Sequence, residues 1–194
     1  MSTSPSQFSE ISNDNIVDFI IDLFHRRGSE EYMGESVSMA EHMTQTAACA
    51  RADGANESLI AAALLHDIGH FVGDFPIDAL ENGIDNCHEN AGADFLKAYF
   101  PTSVTDPICW HVAAKKYLCA KDKNYFQSLS AASVQSLQVQ GGPMNESEVK
   151  QFESLEHYKE AVQLRRYDDD GKVVGLNIEP VENYRNLLNS ICKS

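Results

Sequence analysis

The sequence predicts an all-α fold, on three observations. Apolar residues recur at spacings of three and four, as in Ile16, Phe19, Ile20, Leu23 and Phe24, which lines one face of a 3.6-residue helix. Helix-starting and helix-stopping residues punctuate these stretches at helical lengths. No stretch alternates apolar and polar residues at strand length, and no segment repeats.

Taken in order, Ser12-Asn13-Asp14 opens a first helix and Gly28 stops it. His25 falls beside its apolar stripe and reads as an edge residue. Residues 29–36 are a polar loop with one glycine. A second helix over 38–52 carries His42, and Gly54 sits where a terminator belongs. Asn56 caps a third helix, whose run from Leu59 to Ile68 is almost wholly apolar and therefore interior. Residues 71–87, with Gly73, Pro76 and Gly83, form a loop long enough to suggest function. A fourth helix starts near His88 and ends before Pro101. A fifth is expected to start at Asp106-Pro107, with proline at the first helical position, and to carry His111, Lys115 and Lys116. A sixth spans 124–139, and Gln140-Gly141-Gly142-Pro143 breaks the chain. Asn145 with Glu148 forms a capping box for the next helix. Another runs from Glu156 to about Tyr167, closed by Asp168-Asp169-Asp170-Gly171. Residues 172–178 read as a short extended piece, and Pro180 opens a last helix.

The length suits a single domain, 1–194, with 1–11 as a disordered tail. Fifteen basic against 29 acidic residues give a net charge of −14. That charge repels nucleic acid and anionic membranes. No apolar run approaches the ~20 residues of a membrane span, and Met1 to Ser6 lack the features of a signal peptide. The five cysteines include no C-x-x-C pair and read as reduced thiols of a cytoplasmic protein.

The chemistry gathers at Leu64-Leu65-His66-Asp67-Ile68-Gly69-His70. His66, Asp67 and His70 are spaced to project from one face of a helix. Burying them in an apolar wall is costly unless each is paired or bound, and a metal such as iron, manganese or zinc would satisfy them. His42, His88 and His111 are further candidate ligands; each alone reads as a cap, core or surface residue. The Asp168–Asp170 run alone reads as a solvated helix end, and Lys115 and Lys116 as surface charges.

The pattern His42, His66-Asp67 and Asp168 resembles the ligand set of the HD-domain superfamily, whose members are helical bundles with a metal site in the core. Most are phosphohydrolases. Tyr32-Met33-Gly34-Glu35, the stretch from His111 to Tyr117, and Gln140 to Met144 are more similar to a small oxygenase branch. Its members are mixed-valent di-iron enzymes that cleave the carbon–phosphorus bond of 1-hydroxyphosphonates. The resemblance implies one iron on His42, His66, Asp67 and Asp168, and a second on Asp67, His88 and His111. Asp67 bridges them, since a carboxylate offers one oxygen to each cation. It implies a gate in which Tyr32 occupies the second iron before substrate arrives and Glu35 partners it. Glu35 would then pair with a substrate nitrogen. It places His70, Lys115, Ser133 and Arg165 at the phosphonate. Implied with them are Fe2+/Fe3+ and O2, a 1-hydroxy-2-(amino or trimethylammonio)ethylphosphonate, and release of phosphate with glycine or glycine betaine. Loop residues Phe71, Asp74, Phe75 and Asp78 could receive either nitrogen. Two other functions stay open: a metal-dependent phosphohydrolase acting on a phosphate ester, and a metal-binding regulatory module.

Overall fold

A computed structural model describes residues 11–32, 34–73, 75, 83–176 and 179–193. Of the expected tail 1–11, residues 1–10 lie outside them, as do Met33, Asp74 and Asp78, whereas Ile11 packs half-buried against the core. Among the described residues the chain is helical, with one isolated antiparallel bridge between Glu31 and Ser38. The helices are α1 (Ile16–Arg27), α2 (Met39–Ala52), α3 (Glu57–Leu65), α4 (Gly69–Val72), α5 (His88–Leu96), α6 (Thr102–Lys121), α7 (Lys123–Ser128), α8 (Ala131–Val139), α9 (Glu146–Glu153), α10 (Tyr158–Asp170) and α11 (Arg185–Ile191). A 3-10 helix, Val181–Tyr184, leads into the last. None is long and apolar enough to cross a membrane.

Local chemistry explains most boundaries. Ser38 caps α2 through a capping box with Glu41, and Asn145 does the same for α9 with Glu148. The Asn56 side chain accepts from Leu59 N to start α3. α3 packs against α2, α6 and α10, and Leu59 to Leu65 are all buried. That is the physical meaning of its unbroken apolar run.

Four expectations need correction. α6 begins at Thr102, directly after Pro101, so Pro107 lies inside it and forgoes a backbone hydrogen bond. The expected sixth helix divides at Leu129, because the Ser130 hydroxyl accepts from Ser133 N and starts a new helix. Residues 172–176 form no strand; a turn occupies 174–175, and 177–178 lie outside the described residues. The motif does not continue a regular α-helix either. α3 stops at Leu65, and the bonds Ile68 N→Leu65 O, His70 N→Asp67 O and Phe71 N→Ile68 O are three residues long. This tighter winding turns successive side chains through about 120°, so Asp67 and His70, three residues apart, fall on one side of the turn and His66 is rotated away from them.

Two glycines let α4 and α5 touch. A Cβ on Gly69 would lie 1.9 Å from His88 O, and one on Gly92 3.1 Å from Gly69 N. At Gly69 only hydrogen fits, and the crossing carries His88 to Asp67.

Candidate metal centre

Asp67 sits at the middle of four histidines. Its Oδ2 faces His66 Nε2 at 3.3 Å and His42 Nε2 at 3.5 Å. Its Oδ1 faces His88 Nε2 at 3.1 Å and His111 Nε2 at 3.6 Å. Each oxygen thus serves one imidazole pair. Asp168, 1% exposed, joins the first pair through Oδ1, 3.5 Å from His42 Nε2. Its neighbours in the run point elsewhere: Asp169 binds Arg165 and Tyr125, and Asp170 is exposed.

The outer ring nitrogens are held by oxygen acceptors. Nδ1–H donates to Gly171 O at 2.8 Å from His42, to Ala63 O at 2.9 Å from His66, and to Ile108 O at 2.7 Å from His111. His88 Nδ1 lies 3.1 Å from Asn86 Oδ1. A ring that donates through Nδ1 turns a lone pair inward on Nε2. Yet His42 and His66 bring their Nε2 atoms to 3.0 Å, and His88 and His111 to 3.2 Å. Two lone pairs at such distances repel unless a cation, proton or metal, lies between them. This donor set fits a metal: imidazoles oriented from behind, with carboxylates between them.

The electrostatics of both carboxylates and of His111 agree, whereas at His66 burial is outweighed by Asp67, which holds that ring above its ordinary value. Burial would raise the Asp67 carboxyl, but the His66, His42 and His88 rings hold it well below the usual carboxylate range. Burial would likewise raise Asp168; Arg165 and Lys172 hold it down. Burial and the His88 ring hold His111 well below its ordinary value. Both carboxylates are therefore ionised and His111 is neutral, the states in which such groups bind a metal.

Local backbone delivers the rings. Cys87 adopts a left-handed conformation, φ 48°, at a cost of roughly 1–2 kcal/mol. Its turn is held by Asp85 Oδ1 accepting from Cys87 N and Asn86 Oδ1 from His88 N. Gly171 permits another close approach: a Cβ there would lie 2.4 Å from Thr46 Oγ1, which would drive its carbonyl off His42.

The other candidate residues sort by position. Tyr32 stacks flat on His42, ring centroids 3.9 Å apart. Its phenol is pushed well above the ordinary value by burial and by the Asp67 carboxylate. Glu35 Oε1 accepts from Ser130 Oγ at 2.6 Å. Beside the histidines a cleft encloses about 620 Å³, open solvent included, lined by Tyr32, Glu35, Lys115, Ser133, Arg165 and Lys172 among others. Arg165 donates to Asp168 Oδ2 at 2.7 Å, and also to Asp169, Tyr125 and Ser133. Lys115, 3% exposed, donates to Ser136 Oγ at 2.6 Å. Burial and the Arg165 and Lys172 cations bring its pKa down to about 7. His70 is not among the residues lining the cleft; it stacks on His88 at 4.3 Å. Its Nε2 lacks a hydrogen-bond partner among the described residues, and it offers a ligand atom within 4.8 Å of those of Asp67 and His88. Of the loop residues proposed for the substrate nitrogen, Phe71 is buried in the core and Phe75 lies near His70.

Sequence reading missed Lys172 and Ser136. A signal existed for Lys172: it follows Asp168 by four residues, the spacing that pairs side chains on one helical face. Treating 172–178 as extended hid it.

The comparisons with known proteins follow the same outline. The HD-domain family profile matches residues 38–125. The [1-hydroxy-2-(trimethylamino)ethyl]phosphonate dioxygenase (glycine-betaine-forming) of Leisingera caerulea is 47% identical over 169 residues, covering 87% of this chain and 86% of its own. The hydroxymethylphosphonate dioxygenase of Gimesia maris is 41% identical over 163 residues, 83% of this chain and 81% of that one. An uncharacterized protein of Acanthamoeba polyphaga mimivirus is 38% identical over 176 residues, 89% and 80%.

Proposed function

The chain belongs to the HD-domain phosphonate dioxygenases, and from that premise we propose that it cleaves the carbon–phosphorus bond of a 1-hydroxyphosphonate with O2. The observation that carries this reading is Asp67, with one oxygen turned to each of two histidine pairs. His42, His66, Asp67 and Asp168 would hold one iron, and Asp67, His88 and His111 the other, as a mixed-valent Fe2+/Fe3+ pair. The bound metals supply the redox chemistry that lets O2 take four electrons from the substrate. The balance is R–CH(OH)–PO3H2 + O2 → R–COOH + H3PO4, in which the C–P and one C–H bond break.

The chain's own residues bind and orient. Lys115 and Ser133 offer donors to the phosphonate from the cleft wall. Arg165 lines the same end and fixes Asp168. Local cations reconcile a chain of charge −14 with a dianionic substrate. His70 lies behind His88 and would reach the phosphonate only across it. Tyr32, on His42 and against Asp67, would keep oxygen from the metals until substrate arrives.

Glu35 and Asp85, both on the cleft wall, favour a cationic substituent. A trimethylammonium group cannot donate hydrogen bonds and is held by carboxylate charge. Those carboxylates would hold a primary ammonium as well, so the choice follows the 47% identical relative: we assign 1-hydroxy-2-(trimethylammonio)ethylphosphonate as substrate and glycine betaine as product. Five unpaired thiols suit a cytoplasmic enzyme. The phosphohydrolase reading loses ground because two relatives are named dioxygenases.

The test incubates iron-loaded protein with the trimethylammonio, amino and unsubstituted hydroxymethyl phosphonates, following oxygen uptake and phosphate release. The trimethylammonio compound should turn over best, with one O2 consumed per phosphate. Phosphate release that persists without oxygen would reject the reading.

A further inference from the structure

Residues 171–173 form a strap pinned to α2 on both sides of a single lysine. Gly171 O accepts from His42 Nδ1 at 2.8 Å. The Gln45 amide grips Val173 twice, donating to its O at 2.9 Å and accepting from its N at 2.8 Å. Between these anchors Lys172 turns inward, its side chain 12% exposed, whereas Val174 is 66% exposed. Lys172 Nζ lies 3.3 Å from Asp168 Oδ1, 3.4 Å from Ser133 Oγ and 5.7 Å from the centre of the Tyr32 ring.

Both polar contacts are long for a charged donor, and an ammonium has three N–H bonds to place. The neighbouring cations are engaged more closely: Arg165 by two carboxylates, Lys115 by Ser136. Asp168 Oδ1 is also the oxygen that faces His42 Nε2. A metal bound there draws on the same lone pairs and weakens the hold on Lys172. The ammonium is then left beside Ser133, facing the cleft.

We propose that Lys172 contacts the phosphonate of the substrate, and that Gln45 is the positioning residue that sets it there. This deepens the phosphonate reading above and rests on it for the identity of the ligand.

Inorganic phosphate is the probe, titrated calorimetrically into anaerobic iron-loaded protein. Loss of one charge-assisted hydrogen bond corresponds to roughly a ten- to hundredfold loss of affinity. Lys172→Met should weaken phosphate binding by that factor. It should raise KM for the hydroxyphosphonate more than it lowers kcat, and keep the wild-type iron content and thermal midpoint. Lys172→Arg should recover part of the affinity. Gln45→Leu should weaken phosphate binding by a smaller factor, and should add nothing in the Lys172→Met background. Unchanged phosphate affinity in Lys172→Met would overturn the proposal. So would an affinity that falls only in step with lost iron, since Lys172 would then serve Asp168 alone. The two readings fail separately. Lys172-dependent phosphate binding without oxygen consumption would sink the dioxygenase and spare Lys172; brisk C–P cleavage with wild-type KM in Lys172→Met would do the reverse.

Discussion

Gly69→Ala should disable the metal site although Gly69 is not among its proposed ligands. An alanine Cβ there would lie 1.9 Å from His88 O, 2.7 Å from His88 C and 3.0 Å from Gly92 N. Carbon and its neighbours pack at about 3.5 Å, so α5 must retreat by about 1.5 Å. His88 is the first residue of α5 and moves with it. Its Nε2 lies 3.1 Å from Asp67 Oδ1, and metal–ligand distances tolerate only about 0.2 Å of error. Strain of this kind costs roughly 1–3 kcal/mol or somewhat more. Gly92→Ala is the comparator: its Cβ would meet Gly69 N at 3.1 Å and Ile68 Cγ2 at 3.3 Å, a misfit of a few tenths of an ångström that should cost less than about 1 kcal/mol. Urea unfolding of the metal-free proteins gives the stabilities, and elemental analysis gives iron per chain. Gly69→Ala should be the less stable of the two and should hold at most one iron. If it matches Gly92→Ala in midpoint and carries two irons, the glycine crossing does not position His88.

Two further outcomes are expected. Burial and the nearby Arg165 and Lys172 cations hold Lys115 at about 7 against an ordinary 10.5, so between those values the unfolded chain binds a proton that the folded chain does not. Stability of the metal-free protein should therefore rise with pH across that window, and urea midpoints for Lys115→Met should show a smaller rise. Tyr32→Phe keeps the ring on His42 and removes the hydroxyl beside Asp67; stopped-flow spectroscopy should show faster oxidation of the iron by O2 without substrate, and equal rates would dismiss the gate.

Helices were the most legible feature of the sequence, because capping side chains act within three residues of the backbone they satisfy. Asn56 and Asn145 illustrate it. Where two signals compete, sequence misleads: Pro101 and Pro107 both suit a helix start, and what α6 packs against settles the matter. The break after Leu65 was hidden for a similar reason, since an interior run reads alike in α and 3-10 winding. His66, Asp67 and His70 stood out because imidazole and carboxylate suit little else in an apolar run, yet the full set of six proposed ligands, Asp168 within its run included, took a family resemblance. In the structure the choice is geometric: Asp168 turns to His42 and Asp169 to Arg165. Lys172 escaped because its place depends on Gln45 and His42, more than 120 residues away in sequence.

The most direct measurement is iron stoichiometry with electron paramagnetic resonance on protein reconstituted without oxygen and then oxidised by one electron. Two irons per chain and a half-integer-spin signal from a coupled pair are expected, with both lost in Asp67→Asn. One iron per chain, or an Asp67→Asn protein that still binds a coupled pair, would contradict a centre built around a shared carboxylate.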